Sequence, residues 1–257
     1  MTNAAFKAGR ALSRDFGEVQ NLQVSRKGPA DFVTNADLRA EKIIREELFA
    51  ARPKFGFLME ESGEIAGTDP QNRWIVDPLD GTHNFMHGMP HFCTSIALER
   101  EGEIVAGVIY NPATDELFAA ERGQGAFSND TRMRVAARRE MVECLVSTNI
   151  PRHGQKGHAR HMQEQALIMK ETAGIRCSGS TALDLAYVAA GRLDGIWQRG
   201  PQAWDFAAGI IMLREAGGFV SAIDGSPNMF GSGTILAGNE RIHKKLGDLV
   251  RSATKAE

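Results

Sequence analysis

Apolar residues recur with helical spacing at two places near the N-terminus. From about Thr2 to Val19 they form one face of an amphipathic helix, and a Gly- and Pro-rich loop, RKGPAD, follows. Thr34-Asn35-Ala36-Asp37 then has the pattern of a capping box that opens a second helix. We therefore predict two helices separated by a loop.

Short apolar runs that end in acidic residues come next. Phe55 to Met59 predicts a strand that ends in Glu60-Glu61, and Trp74 to Val76 predicts a second strand that ends in Asp77. Three further strands are predicted in the segments CTSIALER, EIVAGVIYN and ELFAAE, with a Glu-Gly turn between the first two. This half is rich in strands.

The second half alternates between strand and helix patterns. Strands are predicted in ECLVSTNI, Asp194–Gln198, FVSAID and TILAGN, and helices at 161–173, 180–190, 204–216 and 240–252. Such alternation favours a layered α/β arrangement. We place a boundary near Arg138, which gives an N-terminal α+β subdomain over residues 1–138 and a C-terminal α/β subdomain over residues 139–257.

Composition narrows the class of protein. The 257 residues are 42% hydrophobic and 24% charged, with a net charge of −2, so a globular core is expected and nucleic acid is not an expected partner. The three cysteines lack metal-site or disulfide spacing, which favours a reduced, cytoplasmic compartment. The first residues lack the signal-peptide pattern, and no apolar stretch is long enough for a membrane span.

Carboxylates at strand ends are the strongest chemical signal. Asp77 and Asp80 flank Pro78-Leu79, and Glu60-Glu61 end another strand. Mg²⁺ prefers oxygen ligands, so the two aspartates, with the Leu79 carbonyl between them, could converge on one ion. The alternative is that Asp-Pro and Asp-Gly only form a turn and that the glutamates are a solvated edge.

Other candidates also have ordinary structural explanations. Gly81-Thr82 could offer N–H groups to an anion and Thr82 could orient a water molecule, or Thr82 could simply cap a helix. Asp37 and Asp205 each lie at the start of a predicted helix, where an acid complements the helix dipole. His83, His87 and His91 cluster after this turn, and we favour a surface loop over a zinc site there.

Five motifs together resemble those of the inositol monophosphatase family. EES, WIVDPLDGTHNF and AWDFAAGIIMLREAGG occur in the family's order and spacing, with DFVTNAD upstream and GSTALDLAYVAAGRLDG between. The resemblance runs from about Lys27 to Asn239. It implies a layered α-β-α-β-α sandwich, a homodimer, and a lithium-sensitive phosphatase, of bacterial type, that uses two to three Mg²⁺ ions to hydrolyse inositol monophosphate.

The resemblance also implies residue roles. One metal would be held by Glu60, Asp77 and the Leu79 carbonyl, a second by Asp77, Asp80 and Asp205, and a third, looser one near Glu60. Thr82, paired with Asp37, would orient the attacking water, and Glu61 and Lys27 would support the site. The residues implied to bind the substrate are Asp80, Gly81, Thr82, Gly179, Ser180, Thr181, Gln198 and Asp205.

One position departs from the family pattern. Seven residues before Asp205, where many members carry a Glu that binds substrate hydroxyls, this chain has Gln198. Glutamine keeps its hydrogen-bonding capacity but loses the charge. The preference for inositol is therefore an open question, while the metal ligands are complete.

Two alternative functions remain. The first is a phosphatase of the same superfamily that acts on fructose 1,6-bisphosphate, a nucleotide bisphosphate or NADP. It needs extra basic residues around the outer pocket, for which only Arg176 and Arg199 are candidates. The second is a regulatory protein that binds RNA or protein through RVAARRE and RHGQKGHARH, with incidental phosphatase activity. Solvated helix faces explain those basic stretches more simply.

Overall fold

The first half of the chain is mainly strands after two N-terminal helices, and helices and strands are interspersed in the second half. The computed structural model describes residues 1–18, 24–28 and 31–253, and describes only the backbone of residues 24–28 and 31–33. The helices are α1 Thr2–Phe16, α2 Asn35–Ala51, α3 Thr82–Met86, α4 His158–Glu171, α5 Thr181–Ala189, α6 Ala203–Glu215, α7 Met229–Ser232 and α8 Glu240–Ala253. The strands are β1 Val24–Gly28, β2 Asp31–Thr34, β3 Phe55–Met59, β4 Gly63–Ile65, β5 Asp69–Asp80, β6 Cys93–Arg100, β7 Glu103–Asn111, β8 Glu116–Glu121, β9 Gly125–Ser128, β10 Thr131–Arg132, β11 Leu145–Ser147, β12 Gly174–Arg176, β13 Gly195–Arg199, β14 Phe219–Ser221 and β15 Thr234–Gly238.

The larger sheet has eight strands in the order β10-β9-β8-β7-β6-β5-β3-β4. Its strands are antiparallel to their neighbours except for β3 and β5, which run parallel. Parallel strands end at the same edge of a sheet. Glu60, directly after β3, therefore lies beside the acidic end of β5, and its N–H donates to the Val76 carbonyl at 3.2 Å.

The smaller sheet has five strands in the order β12-β11-β13-β15-β14. Here β11 runs parallel to both β12 and β13, and β15 runs antiparallel to β13 and β14. Strand β13 carries Gln198 and Arg199 at its C-terminal end. Because successive strand residues point to opposite faces, Gln198 faces Thr181 of α5 and Arg199 faces Glu164 of α4.

Three hydrophobic clusters join the layers. One packs α1 and α2 on the outer face of the larger sheet, and another packs α8 and part of α4 on the outer face of the smaller sheet. The third holds α5 and α6 between the sheets, where their apolar faces meet residues of both. The expected α-β-α-β-α sandwich is confirmed.

Helix α6 is apolar along almost its whole length because it is the middle layer. Its residues from Phe206 to Leu213 are all buried. Gly107 of β7 lets this helix approach closely, since a Cβ there would lie 2.8 Å from the Ala208 carbonyl oxygen. This tight contact fixes the start of α6, and therefore Asp205, relative to the larger sheet.

Some element boundaries differ from the sequence predictions. Strand β5 begins at Asp69, not near Trp74, because Asp69 pairs with Phe55 of β3 and the polar residues that follow pair with the end of β6. The strand predicted over ECLVSTNI is shorter, since residues 141–143 form a 3-10 turn before β11. The loop predicted at RKGPAD is wrong in part, because residues 24–28 and 31–34 pair as an antiparallel hairpin.

Candidate metal centre

Three carboxylates from distant parts of the chain converge at the edge of the larger sheet. Oxygens of Asp77, Asp80 and Asp205 all lie within 4.8 Å of one another. Asp77 is only 2% exposed, and the other two are partly buried. Like charges this close need a compensating cation when they are ionised. An all-oxygen donor set of this kind fits a hard divalent metal ion.

A bulge at the end of β5 brings the first two aspartates to the same side. Asp77 pairs with Ser95 of β6 and Asp80 pairs with Cys93, so β5 carries one extra residue over this interval. The Leu79 N–H donates to Asp77 Oδ1 at 2.9 Å, and the Pro78 carbonyl accepts from Thr94 Oγ1 at 3.0 Å. The Asp-Pro turn predicted from the sequence is therefore part of the acid site, and the turn and metal-site interpretations are compatible.

Backbone and side-chain groups at the starts of two helices donate hydrogen bonds to Asp80 and Asp205. Asp80 Oδ2 accepts from Ser180 Oγ and from the Ala182 N–H of α5, both at 2.7 Å. Asp205 Oδ2 accepts from the Gln202 N–H at 2.7 Å as part of a capping box at the start of α6. Asp205 is thus a helix cap as well as a member of the acid cluster.

Burial raises the pKa values of all three acids, and repulsion from neighbouring carboxylates adds to the effect. Desolvation raises the pKa of Asp77 well above its usual range, and the charges of Glu60, Asp80 and Asp205 add to the effect. Desolvation also raises the pKa of Asp80 to about 6, although its bonds to Ser180 and Ala182 act in the opposite direction. The pKa of Asp205 is raised mainly by desolvation, followed by the charge of Asp80. A bound cation would relieve this repulsion.

A buried dyad lies beside the acids. Thr82 Oγ1 lies within hydrogen-bonding distance of two acceptors, Asp37 Oδ1 at 3.3 Å and the Leu79 carbonyl oxygen at 3.1 Å, which compete for its one hydroxyl proton. Asp37 is fully buried, and its other oxygen accepts from the N–H and hydroxyl of Thr34 at 2.8 and 2.6 Å. The predicted capping box of α2 is confirmed, and the same carboxylate also reaches Thr82.

Gly81 adopts a conformation that other residues rarely adopt. Its φ of 94° and ψ of 34° lie in the left-handed region, directly before α3. A Cβ there would also lie 2.9 Å from the His91 carbonyl oxygen. The glycine allows the chain to turn from the acidic end of β5 into Thr82 without strain.

A cavity of about 370 Å³ opens over the acids, and we call it the metal cavity. Its lining includes these residues predicted from the sequence: Glu60, Asp77, Leu79, Asp80, Gly81, Thr82, Gly179, Thr181, Gln198 and Asp205. Gln198 is 7% exposed, and its amide oxygen accepts from Thr181 Oγ1 at 3.0 Å. Volume and polarity suit a small phosphorylated polyol.

A model of the inositol monophosphatase family matches residues 1–255. The chain belongs to the inositol monophosphatase family. This membership makes it a phosphoric monoester hydrolase by family, and it agrees with an acid cluster that can bind metal.

Relatives match over nearly the full length. An inositol-1-monophosphatase of Mesorhizobium japonicum is 58% identical over 256 residues, covering 100% of this chain and 96% of that protein. The Nus factor SuhB of Escherichia coli is 42% identical over 243 residues, covering 95% and 91%. The crystal structure of the extragenic suppressor protein suhB from Bartonella henselae is 60% identical, with a TM-score of 0.95 over 97% of this chain and 96% of that one.

Three of the described residues predicted for the phosphatase site, Asp37, Glu61 and Ser180, lie outside the lining of the metal cavity. Asp37 and Ser180 are buried behind it, where they contact Thr82 and Asp80 respectively. Glu61 uses its N–H to donate to Glu41 Oε2 at 2.9 Å. The side chain of Lys27 lies outside the described residues. Asp37 and Ser180 therefore position residues that line the cavity.

Two asparagines that the sequence analysis missed join the halves of the site. Asn84 Nδ2 donates to the carbonyls of Ser178 and His91 at 2.8 and 2.7 Å. Asn149 Nδ2 donates to Thr181 Oγ1 at 3.1 Å, and its oxygen accepts from the Gly179 N–H at 3.2 Å. Neither asparagine belongs to a chemical motif by itself, so only the three-dimensional arrangement reveals it.

Proposed function

We propose that this protein hydrolyses inositol monophosphate to inositol and inorganic phosphate in a Mg²⁺-dependent reaction. The observation that carries the proposal is the convergence of Asp77, Asp80 and Asp205 at the floor of a polar cavity. The 58% identity to an enzyme named inositol-1-monophosphatase supports the choice of substrate.

The metal ligands would be Glu60, Asp77, Asp80, Asp205 and the Leu79 carbonyl oxygen, which all line the metal cavity. Two to three Mg²⁺ ions would be held by this set. Bound Mg²⁺ supplies an acidified water molecule and charge neutralisation for the departing alkoxide.

The chain's own residues supply orientation. Thr82 would donate its hydroxyl proton to Asp37 when the Leu79 carbonyl oxygen binds metal, and its oxygen lone pairs would then accept from the attacking water. The N–H groups of Gly81 and Thr82 would hold the phosphate at the turn into α3. Gln198 and Asp205 would bind substrate hydroxyls, because both line the cavity.

A substrate panel tests this proposal. Phosphate release should be measured with Mg²⁺ on inositol 1-phosphate, inositol 2-phosphate, glycerol phosphate, NADP and an unrelated phosphoserine peptide. We expect inositol 1-phosphate to have the highest kcat/KM among the monophosphates. A higher kcat/KM on NADP or on the peptide would overturn the choice of substrate, while an absence of activity on every compound would overturn the phosphatase proposal itself.

The family resemblance also supports inhibition by lithium, a cytoplasmic location and a homodimer. Each described helix is too short or too polar to cross a bilayer. Analytical ultracentrifugation at micromolar concentration should give a mass of twice 28.0 kDa. A sedimenting monomer at the concentration used for assays would contradict the dimer.

A second candidate is a regulatory role, favoured by the 42% identity to a protein named Nus factor SuhB. In that case, binding of a protein or RNA partner would not need the acid cluster. A complex formed equally well by the wild type and by Asp80→Asn would support this role. A complex that forms only with the catalytically active protein would contradict it.

A further inference from the structure

A histidine and an aspartate face each other behind the acid cluster. His91 Nε2 lies 3.7 Å from Asp184 Oδ1. The side chain of Asp184 is fully buried in the first turn of α5, and that of His91 is 21% exposed in the loop between α3 and β6. We call these two residues the His91–Asp184 pair. Neither of them lines the metal cavity.

The two facing atoms have no hydrogen-bond partner within the described part of the chain. Asp184 Oδ1 and His91 Nε2 are both buried, and each is unsatisfied at the observed separation. Buried polar atoms are rarely left without a partner, because the cost in free energy is high. When Nε2 carries the proton, a shift of roughly 0.5–1 Å makes an N–H···O bond between the two residues. Each atom is therefore the partner that the other one lacks.

The second oxygen of Asp184 ties the pair to the smaller sheet. Asp184 Oδ2 accepts a hydrogen bond from Ser147 Oγ, at the end of β11. Ser147 is fully buried as well. One carboxylate of α5 thus contacts the smaller sheet through Ser147 and the loop before β6 through His91.

The backbone of His91 attaches the same loop to α5 at a second point. Asn84 Nδ2 donates to the carbonyl oxygens of His91 and Ser178, and Ser178 lies two residues before the N-cap of α5. A Cβ on Gly179 would lie 3.0 Å from this amide nitrogen, so the contact is tight. The loop before β6 and the start of α5 are therefore held together by Asn84 and by the pair.

The start of α5 is the part of the helix that holds Asp80. Ser180 Oγ and the Ala182 N–H both donate to Asp80 Oδ2 at 2.7 Å. Asp184 lies in the same turn, and its N–H donates to the Ser180 carbonyl at 3.1 Å. A displacement of Asp184 would therefore displace both donors, and with them the carboxylate of Asp80.

The charges of the pair also act on Asp80. Desolvation is the main cause of the raised pKa of Asp80, but the charge of Asp184 raises it further and the charge of His91 lowers it. Such effects weaken with distance. The pair therefore lies close enough to Asp80 to affect its electrostatic environment as well as its position.

From these contacts we propose that His91 and Asp184 are positioning residues for the metal ligand Asp80. They hold the start of α5 against the loop before β6, so that Ser180 and Ala182 bind one oxygen of Asp80 and leave the other to a cation. The inference rests on the proposed function, and it adds two residues that line no part of the metal cavity.

A purely structural ion pair is the alternative. Such a pair would contribute to the free energy of unfolding and would leave the affinity for Mg²⁺ unchanged. Positioning residues, in contrast, change metal affinity through the ligand that they orient. The two explanations therefore differ in a quantity that can be measured without turnover.

The test measures Mg²⁺ binding by isothermal titration calorimetry, without substrate, at about pH 8, where an ordinary histidine is neutral. The proteins are the wild type, His91→Phe and His91→Gln. Phenylalanine keeps a ring but has no N–H, whereas glutamine can place an amide N–H close to the position of Nε2. His87→Phe is the control, since His87 is exposed near the same loop and does not line the metal cavity. Melting temperatures report folding.

We expect His91→Phe to raise the Kd for Mg²⁺ about fivefold or more, because Asp184 loses its partner and the donors to Asp80 are no longer fixed. His91→Gln and His87→Phe should stay within about twofold of the wild type. At saturating Mg²⁺, KM for inositol 1-phosphate should change less than about twofold in His91→Phe, since the pair does not contact the substrate.

A double-mutant cycle tests whether the two residues act together. Asp184→Ala should also weaken Mg²⁺ binding, and the double variant with His91→Phe should bind no more weakly than the weaker single variant. Effects that add fully in the double variant would contradict a pair. If Asp184→Ala does not fold, the three histidine variants decide the inference.

The outcomes separate the inference from the proposed function. An unchanged Kd for Mg²⁺ in folded His91→Phe would overturn the inference, and so would a His91→Gln protein that binds Mg²⁺ as weakly as His91→Phe. Mg²⁺ binding in the expected order without any phosphate release would support the inference and overturn the proposed function. A wild type that binds no Mg²⁺ would overturn both.

Discussion

At the scale of single residues, several side chains in this site have both a structural and a chemical role. Asp37 completes the capping box of α2 with one oxygen and accepts from Thr82 with the other. Asp205 caps α6 and joins the acid cluster. The capping and catalytic explanations for these aspartates are therefore compatible, because a carboxylate has two oxygens and about four lone pairs.

Thr82 is the residue whose hydroxyl is expected to act on the nucleophile. Thr82→Ala removes the group that orients water, so we expect kcat to fall about 100-fold or more while KM changes little. Thr82→Ser keeps the hydroxyl and should recover most of the activity. Steady-state kinetics of both variants check this, and near-normal turnover in the alanine variant would contradict the role of Thr82.

Gln198 is expected to set the preference among polyols. Its oxygen is occupied by Thr181, so its NH₂ group is what it can offer to the cavity. Gln198→Glu supplies a charged acceptor and should lower KM for inositol 1-phosphate about fivefold, with little change in kcat or in KM for glycerol phosphate. Gln124→Glu, at an exposed position outside the cavity, is the control.

A KM for inositol 1-phosphate that does not change in Gln198→Glu would remove Gln198 from the substrate contacts. The loop from Arg199 to Ala203 would then be the better candidate for specificity, since Arg199, Gly200, Pro201 and Gln202 also line the metal cavity.

At the scale of elements, the starts of α5 and α6 both point at the acid cluster. The Ala182 N–H bonds Asp80, and the Gln202 N–H bonds Asp205. Helix N-termini carry a partial positive charge, so they offset part of the repulsion between the acids. They do not offset all of it, because the pKa of Asp80 is still raised to about 6 and the pKa values of Asp77 and Asp205 are raised too.

The pH dependence of the metal-free protein follows from the raised pKa of Asp80. A carboxyl group whose folded-state pKa is raised destabilises the fold when it is ionised, so the penalty is absent below about pH 4, grows between about pH 4 and 6, and is complete above that. Asp80→Asn removes the penalty and can still accept from Ser180 and Ala182. In EDTA at pH 7.5 its melting temperature should exceed that of the wild type by about 3 °C or more.

The difference in melting temperature between Asp80→Asn and the wild type should shrink toward zero near pH 4. It should reverse with excess Mg²⁺, because the wild type gains more stability from the metal. Differential scanning calorimetry at several pH values checks the prediction. A metal-free Asp80→Asn protein that melts below the wild type at pH 7.5 would show that Asp80 stabilises the fold rather than straining it.

Sequence patterns predicted the helices and strands best where the local hydrophobic pattern is strong. Strands β6, β7 and β8 were predicted with the observed bounds, because their apolar runs are bounded by turns. Strand β12 was missed, since three residues at a sheet edge carry too little periodicity. The acid site was predicted from its sequence motifs. The hydrogen bond from Ser180 to Asp80 could not be predicted, because the two residues are 100 positions apart in the chain.

At the scale of the whole molecule, the site forms where the two halves of the sandwich meet. Asp77 and Asp80 come from the larger sheet, Thr181 from α5, Gln198 from the smaller sheet and Asp205 from α6. Ion pairs also link distant segments, including Arg192 with Glu116 and the buried Asp194 with Arg138. The subdomain boundary near Arg138 stays a prediction, since α5 and α6 share one core with both sheets.

The central claim is that phosphate-ester hydrolysis depends on Mg²⁺ held by the acid cluster. The most direct test is phosphate release from inositol 1-phosphate by enzyme stripped with EDTA, before and after Mg²⁺ is added, in the wild type and in Asp205→Asn. We expect negligible release by the stripped wild type, full recovery with millimolar Mg²⁺, and a loss of about 100-fold or more in Asp205→Asn at every Mg²⁺ concentration. Full activity in a sample verified as metal-free, or wild-type turnover in Asp205→Asn, would contradict the account.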